Sequence, residues 1–262
     1  MTHSAADILA RSELEPLEPP RFRPAPYLLE IQSELLQALR QPAFAVPSLL
    51  FPAMFYLFFG VVFSQTSAYS GYMLTTYGAF GVIGAALFGF GVSVAIARES
   101  GELLLKRVAP VPPGAFLAGK MMTSLVFSCL VLAELFVLGA AFGDVRFERG
   151  QWLGLAAVLL LGSLPFAALG LAIGTHTSGK GAPAIINLIY LPAAFLSGLW
   201  IPIQVLPEIL QGFAVVLPPY HLAQLALGVI DQSVGQPVAL HVAVLVAMTA
   251  VCLAFAARGF RR

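Results

Sequence analysis

The chain is 262 residues long, 59% hydrophobic and only 10% charged, with a net charge of +1. Soluble domains carry roughly 25% charged residues, so this chain lacks the polar material to cover a water-soluble fold of its size. So small a net charge carries no signature of a nucleic-acid partner, and a bilayer is the natural solvent for the chain.

Residues 1–26 read as a flexible leader, because Pro16, Pro19, Pro20, Pro24 and Pro26 break any helix there. Their polarity predicts no cleavable signal peptide, so targeting falls to the first spanning helix. From 27 to 41 the pattern changes. Leu28, Ile31, Leu35 and Leu39 recur at three- and four-residue spacing, while Glu30, Glu34, Gln37 and Arg40 occupy the other side. That is an amphipathic helix, too polar to span, and it is predicted to lie along the membrane surface or to pack on a soluble partner.

Six apolar stretches follow, at 43–63, 72–97, 115–142, 151–174, 182–201 and 237–257. Each can cross a hydrocarbon core of ~30 Å at ~1.5 Å per residue. The stretch 202–232 is apolar but cut by Pro202, Pro207, Pro218 and Pro219, which predicts short re-entrant helices rather than a clean span. The fold class is therefore an all-α integral membrane protein: six transmembrane helices, an N-terminal amphipathic helix and an outer re-entrant hairpin before the last span.

Orientation follows from the basic residues. With both termini cytoplasmic, only Arg146 and Arg149 of the 14 lysines and arginines fall outside. Small residues mark predicted helix contacts: Gly81, Ala85 and Gly89 share a face of the second span, and Gly170 and Gly174 form a G-x-x-x-G in the fourth. Cys129 and Cys252 lie inside apolar runs and read as small core residues.

The motifs of catalysis are missing. The sequence has no G-x-x-x-x-G-K-[ST] phosphate loop, no H-E-x-x-H and no C-x-x-C. His3, His176, His221 and His241 are scattered over separate segments, so neither a metal site nor a catalytic residue is expected. Few ionisable groups lie within the spans. Glu134 falls deep in the third, where a carboxyl faces either a wet pathway or a neighbouring helix. Asn187 in the fifth suits helix–helix hydrogen bonding. Lys120 opens the third span and is expected to snorkel to the interface as an anchor.

The segment after the second span carries the most information. It reads Arg98-Glu99-Ser100-Gly101-Glu102-Leu103-Leu104-Leu105-Lys106-Arg107-Val108-Ala109-Pro110. Its charged ends and leucine side predict a short amphipathic helix able to press into a groove on another protein. The segment resembles the cytoplasmic loop of ABC-2-type transporter permeases, which often reads E-R-E-x-G-T-L-E, then a proline, then G-K at the next span. Arg98, Glu99, Gly101, Leu103, Pro110, Gly119 and Lys120 match; Ala97, Glu102 and Leu104 depart. Phe195-Leu196-Ser197-Gly198 with Pro202 is similar to the family's F-L-S-G…P element, and Leu206 to Gln211 to its L-P-x-x-L-Q element. Leu217-Pro218-Pro219-Tyr220 stands where the family often has Asn-Pro, with Pro218 in place of the Asn.

The resemblance covers residues 27–258. It implies a permease subunit of an ATP-driven exporter in the cytoplasmic (inner) membrane. Its partners would be two copies of a separate ATP-binding subunit, which hold ATP and Mg, a second permease copy forming a homodimer, and membrane lipid. Residues 27–41 would be the connecting helix and 98–110 the coupling helix, with Arg98, Glu99, Gly101, Glu102, Leu103, Lys106 and Arg107 meeting the ATPase. Glu134, Asn187, Phe195 and Ser197 are the expected substrate-pathway residues. Phe- and Leu-rich, charge-poor spans suit a hydrophobic or amphipathic cargo, drug-like or lipid. A lipid-linked polysaccharide is the alternative cargo. A secondary transporter using Glu134, or a scaffold that moves nothing, are the alternatives outside the family.

Overall fold

The computed structural model describes residues 24–64, 66–102, 105 and 112–260. No strand occurs among the described residues. Helix α1 covers Pro24–Leu39. The expectation of non-helical chain as far as residue 26 is corrected here. Pro24 and Pro26 fall in the first turn, whose N–H groups have no intrahelical partner to lose. Residues 1–23 of the predicted leader lie outside the described residues.

Among the described residues, five stretches are long and apolar enough to cross a membrane: Pro42–Val62, Ser67–Glu99, Gly114–Phe142, Arg149–Gly174 and Val238–Gly259. They coincide with five of the six predicted spans. Their helices are α2 (Pro42–Phe55), α3 (Ser67–Ala86), α4 (Ser93–Glu99), α5 (Pro113–Phe142), α6 (Arg149–Gly174) and, last in the chain, α10 (Val238–Phe260). The remaining predicted span, 182–201, is helical only over α7, Ala182–Leu196. At ~1.5 Å per residue α7 rises ~22 Å, and the chain then turns through Gly198, which has φ +77°. Between α7 and α10, α8 (Glu208–Ala214) and α9 (Pro218–Val229) are bent 90° to each other. Pro218 and Pro219 occupy the first positions of α9, so the residues that forbid a continuous span also start the returning arm. This is the predicted hairpin.

Two stretches of wide π-helix interrupt the spans. The first, Tyr56–Val62, follows Pro47 and Pro52 in α2. The Tyr56 ring folds across Gly60, where an added Cβ would lie 2.5 Å from it. The second, Leu87–Val92, joins α3 to α4. There the Ser93 hydroxyl donates to the carbonyls of Gly89 (2.6 Å) and Phe90 (3.0 Å) at the end of the widened turn.

The second span forms the centre of the bundle, being 72% buried against 17% for the last. Its buried side chains, among them Met73, Tyr77, Ile83 and Leu87, form one cluster with Leu135, Leu159 and Phe166 of its neighbours. The small-residue face meets two partners: Gly81 packs on Val131 and Pro52, and Gly89 on Phe44 and Ser124. The predicted Gly170/Gly174 pair packs backbone to backbone on Gly91. A Cβ on Gly91 would stand 2.8 Å from the Gly170 Cα, and one on Gly174 would stand 2.4 Å from the Gly91 carbonyl.

Hydrogen bonds close the end of the bundle opposite α1. The buried Tyr56 and Ser70 hydroxyls are 2.8 Å apart, and the Thr66 side chain caps α3 by accepting from the Tyr69 N–H. Buried His221 of α9 and His241 of α10 meet Nδ1 to Nδ1 at 2.8 Å, while His221 Nε2 lies 2.9 Å from the Val215 carbonyl. Tyr56→Phe removes one buried bond and strands Ser70. The expected loss is about 1 kcal/mol, read as a lowered unfolding midpoint in detergent. The cysteine expectation holds for Cys252, which is buried, and is corrected for Cys129, which is exposed on the bundle surface. Lipid there removes the need to hide a small apolar side chain inside the protein.

Candidate functional site: an amphipathic cleft and the loops beneath it

A cleft of about 1200 Å³ runs between α1 and α2 on one side and the second span and α7 on the other. Its two ends differ chemically. Near α1 it is lined by Glu34, Gln37, Arg40, Glu102, Lys120 and Thr123. Towards the bundle centre the lining is Phe44, Phe51, Phe80, Phe88 and Tyr190. The polar lining comes from α1, the start of α5 and Glu102, and the apolar lining from α2, the second span and α7.

The polar end is built on an ion pair. Lys120 Nζ lies 2.6 Å from Glu34 Oε2, with side-chain exposures of 4% and 7%. The ammonium also sits 4.9 Å from the centre of the Phe116 ring. This corrects the expectation that Lys120 snorkels to the interface as an anchor. Gly119 lets α1 approach α5 so closely that the Glu30 and Glu34 side chains pass over it at 3.1–3.2 Å from where a Cβ would be. A carboxylate is therefore delivered to the ammonium, and pairing satisfies the charge better than reaching for water. One turn on, Thr123 lines the cleft with its Oγ1 buried and without a hydrogen-bond partner.

An aromatic block stands behind the apolar end. Phe80 stacks on Tyr190 at 5.1 Å and meets Trp200 edge-on at 5.7 Å, and Phe55 stacks on Trp200 at 5.8 Å. The Tyr190 hydroxyl donates to the Phe80 carbonyl, and the Tyr77 hydroxyl to the Trp200 carbonyl at 3.1 Å. The Trp200 Nε1 is buried without a partner. These side chains join the first span, the second span, α7 and the turn after it.

Of the four predicted pathway residues, Asn187 lines the cleft. Glu134 is half-buried elsewhere on α5. Phe195 lies edge-on to Trp200 at 6.2 Å. Ser197 is 2% exposed, in the turn after α7, with its Oγ unpartnered. The structure does not gather these four into one site.

Of the predicted coupling residues, Leu103, Lys106 and Arg107 lie outside the described residues. Arg98 is exposed in the last turn of α4. Glu99 Oε2 accepts the Gly179 N–H at 2.6 Å, which ties this segment to the loop between α6 and α7. Gly101 has φ +78° and nothing within 4 Å of its would-be Cβ, so it turns the chain out of α4 in open space. Glu102 reaches the cleft lining. Among the described residues no three His, Cys, Asp or Glu side chains are grouped to hold a metal.

Sequence reasoning missed Glu34, Thr123 and Trp200. Glu34 carried a usable signal, since it lies on the polar face of α1 one turn after Glu30. Nothing local marked Trp200.

Two comparisons bear on this arrangement. The family model described as ABC-2 type transporter matches residues 27–230, which include α1, the cleft walls and the bent helix pair. A curated protein named "Putative transport permease YvfS", from Bacillus subtilis (strain 168), is 30% identical over 193 residues, covering 72% of this chain and 79% of that one.

Proposed function

The chain belongs to the ABC-2 type transporter family, and from that premise we propose that it is the permease subunit of an ATP-driven exporter of hydrophobic or amphipathic molecules. It is a transport subunit, and its family associates with a separate ATP-binding subunit. The absence of a phosphate loop from the sequence agrees with that division of labour. In our reading two permease copies form a homodimer in the cytoplasmic membrane, N- and C-termini inside. Two ATP-binding subunits below them hold ATP and Mg.

The observation that carries this reading is the cleft's polarity. Its charged end lies beside α1 and the segment from Glu99 to Glu102, and its aromatic end lies among the spans. A cargo with a polar and an apolar part fits that gradient. In our reading α1 is the connecting helix and 98–110 the coupling helix. ATP binding closes the partner subunits and pushes on 98–110. The Glu99–Gly179 bond passes the push to the loop before α7, so the second span and α7, which form one cleft wall, receive it together. The spans then tilt, and the difference in contacts between the two states sets the direction.

The test is purification of tagged protein from native membranes in mild detergent, followed by an ATPase assay. A co-purifying ATP-binding subunit with vanadate-sensitive activity supports the proposal. Transport that persists without ATP refutes it. Two Glu99 variants then separate the bond from the charge. Glu99→Arg should lose transport and cargo-stimulated hydrolysis by tenfold or more, leaving basal hydrolysis. Glu99→Gln keeps an acceptor for the Gly179 N–H and should retain a large part of both. Equal stimulation in Glu99→Arg and the parent would dismiss the coupling role.

A further inference from the structure

We infer that His221 and His241 form a proton-operated latch, which holds the corner of the bent helix pair to the last span and releases it when both rings are charged. The inference goes beyond the permease reading and needs only the contact itself.

The hydrogen bonds fix where the protons sit. A carbonyl only accepts, so His221 Nε2, 2.9 Å from the Val215 carbonyl, carries a hydrogen. In the neutral ring Nδ1 is then a bare acceptor. His241 Nδ1, 2.8 Å away, is therefore the donor. The one lone pair left over is on His241 Nε2. A first proton goes there and leaves the contact intact, because the His241 ring still donates from Nδ1. A second proton has only His221 Nδ1 to go to, and that atom is the acceptor. Two N–H groups on two positive rings would then face each other, so His221 must turn away. Turning it breaks the bond to Val215 as well. One side chain thus clamps the loop between α8 and α9 and also holds α10.

The surroundings leave this titration to the pair. Both rings are buried, and among the described residues neither has a carboxylate partner. Tyr220 of α9 lies edge-on to them at 5.5 and 6.1 Å. Of the elements packed on α9 and α10, the second span brings Tyr69 and Tyr72, α7 brings Tyr190, and α6 begins at the exposed Arg149. Tyrosine hydroxyls stay neutral below about pH 9. Glu208 of α8 and Asp231 beyond α9 are exposed, and Arg258 stands in the last turn of α10. His241 is the fourth residue of α10, ~5 Å from its start at ~1.5 Å per residue, so the pair sits near the end of the span rather than at its middle.

The released pair takes two protons and the closed pair at most one, so acid favours release. Closure is complete well above the ordinary imidazole value of about 6.5 and is lost below it. At pH 5 an exposed imidazole is ~30 times more often charged than neutral. Two released rings therefore favour opening by up to the square of that ratio, against two hydrogen bonds worth a factor of about 5 each. The corner has a small core of its own, Ile203, Leu206, Ala214 and Tyr220, apart from the main cluster. It can part from α10 without unpacking the spans.

The experiment uses purified full-length protein in detergent, with nitrogen-15-labelled histidine, between about pH 8 and pH 5. A spin–spin coupling between the two Nδ1 atoms, carried by the shared hydrogen, is expected at the upper pH and absent at the lower. Its absence at pH 8 overturns the inference, and so does its persistence at pH 5. The second readout is the unfolding midpoint. The parent should lose about 5 °C more over this range than His241→Asn. Asparagine keeps an N–H near the Nδ1 position and takes no proton, so its midpoint at pH 8 should lie near the parent's. His176, which stacks on Phe255 beyond the end of α6, is common to both proteins and cancels. Equal acid losses would refute the latch. If His241→Asn does not fold, the coupling in the parent decides alone.

Discussion

Replacing Gly91 by leucine should remove folded protein from the membrane almost completely. The Gly91 Cβ would stand 2.8 Å from both the Cα and the carbonyl oxygen of Gly170, and backbone on both sides has no rotamer by which to yield. The second span would have to separate from the fourth, exposing the cluster around Leu87, Phe166 and Leu171. Overpacking costs about 1–3 kcal/mol in cores that can shift. Here alanine should already reach that range, and leucine should exceed the few kcal/mol by which helical membrane proteins hold together. Two controls are built into the chain. Gly150 and Gly212 have nothing within 4 Å of a would-be Cβ, so alanine there should be neutral or slightly stabilising through helix propensity. The check is the monodisperse fraction after heating, by size-exclusion chromatography. A folded Gly91→Leu protein with a parent-like midpoint would contradict the packing.

Lys120→Met should be the second most damaging change, at about 3–5 kcal/mol, because it takes the neutralising ammonium away from the buried Glu34 carboxylate. The pair is sealed at 4% and 7% exposure, so water cannot take the place of the missing ammonium. Glu34→Leu combined with Lys120→Met should recover most of the loss, since two apolar groups of similar volume have no charge to desolvate. The measurement is a double-mutant cycle on the unfolding midpoint, and a coupling of at least about 2 kcal/mol is expected. Additive losses would mean that the ion pair does not hold α1 to α5.

Those two sites show how far the sequence could be read. The spans were legible because length and hydropathy are properties of a contiguous segment, and the solvent enforces them residue by residue. The hairpin was legible because Pro218 and Pro219 exclude a continuous helix and also begin a new one. The G-x-x-x-G at Gly170 was legible as a face, but its partner was not. Spacing reveals which side of a helix is small, never which helix lies against it, and Gly91 sits in a π-helical stretch that has no sequence period. The same limit hid the Glu34–Lys120 pair, whose members are 86 residues apart. A lysine at the start of an apolar run suggests an interface, and only the close approach over Gly119 turns it into an internal ion pair. Glu99 was singled out by its charge, yet its partner is a backbone N–H, which every residue but proline carries. The Glu134 reading drew on depth alone, and depth says nothing about which way a side chain faces.

The backbone contact between Gly91 and the Gly170/Gly174 pair also divides the molecule mechanically. Where side chains interdigitate, a small slide exchanges one set of contacts for another. Where two main chains touch directly, there is no intermediate arrangement to slide through. At this point the second and fourth spans are therefore held main chain to main chain. Elsewhere the second span borders the cleft of about 1200 Å³, while Phe44 and Pro52 of α2 still pack on its Gly89 and Gly81.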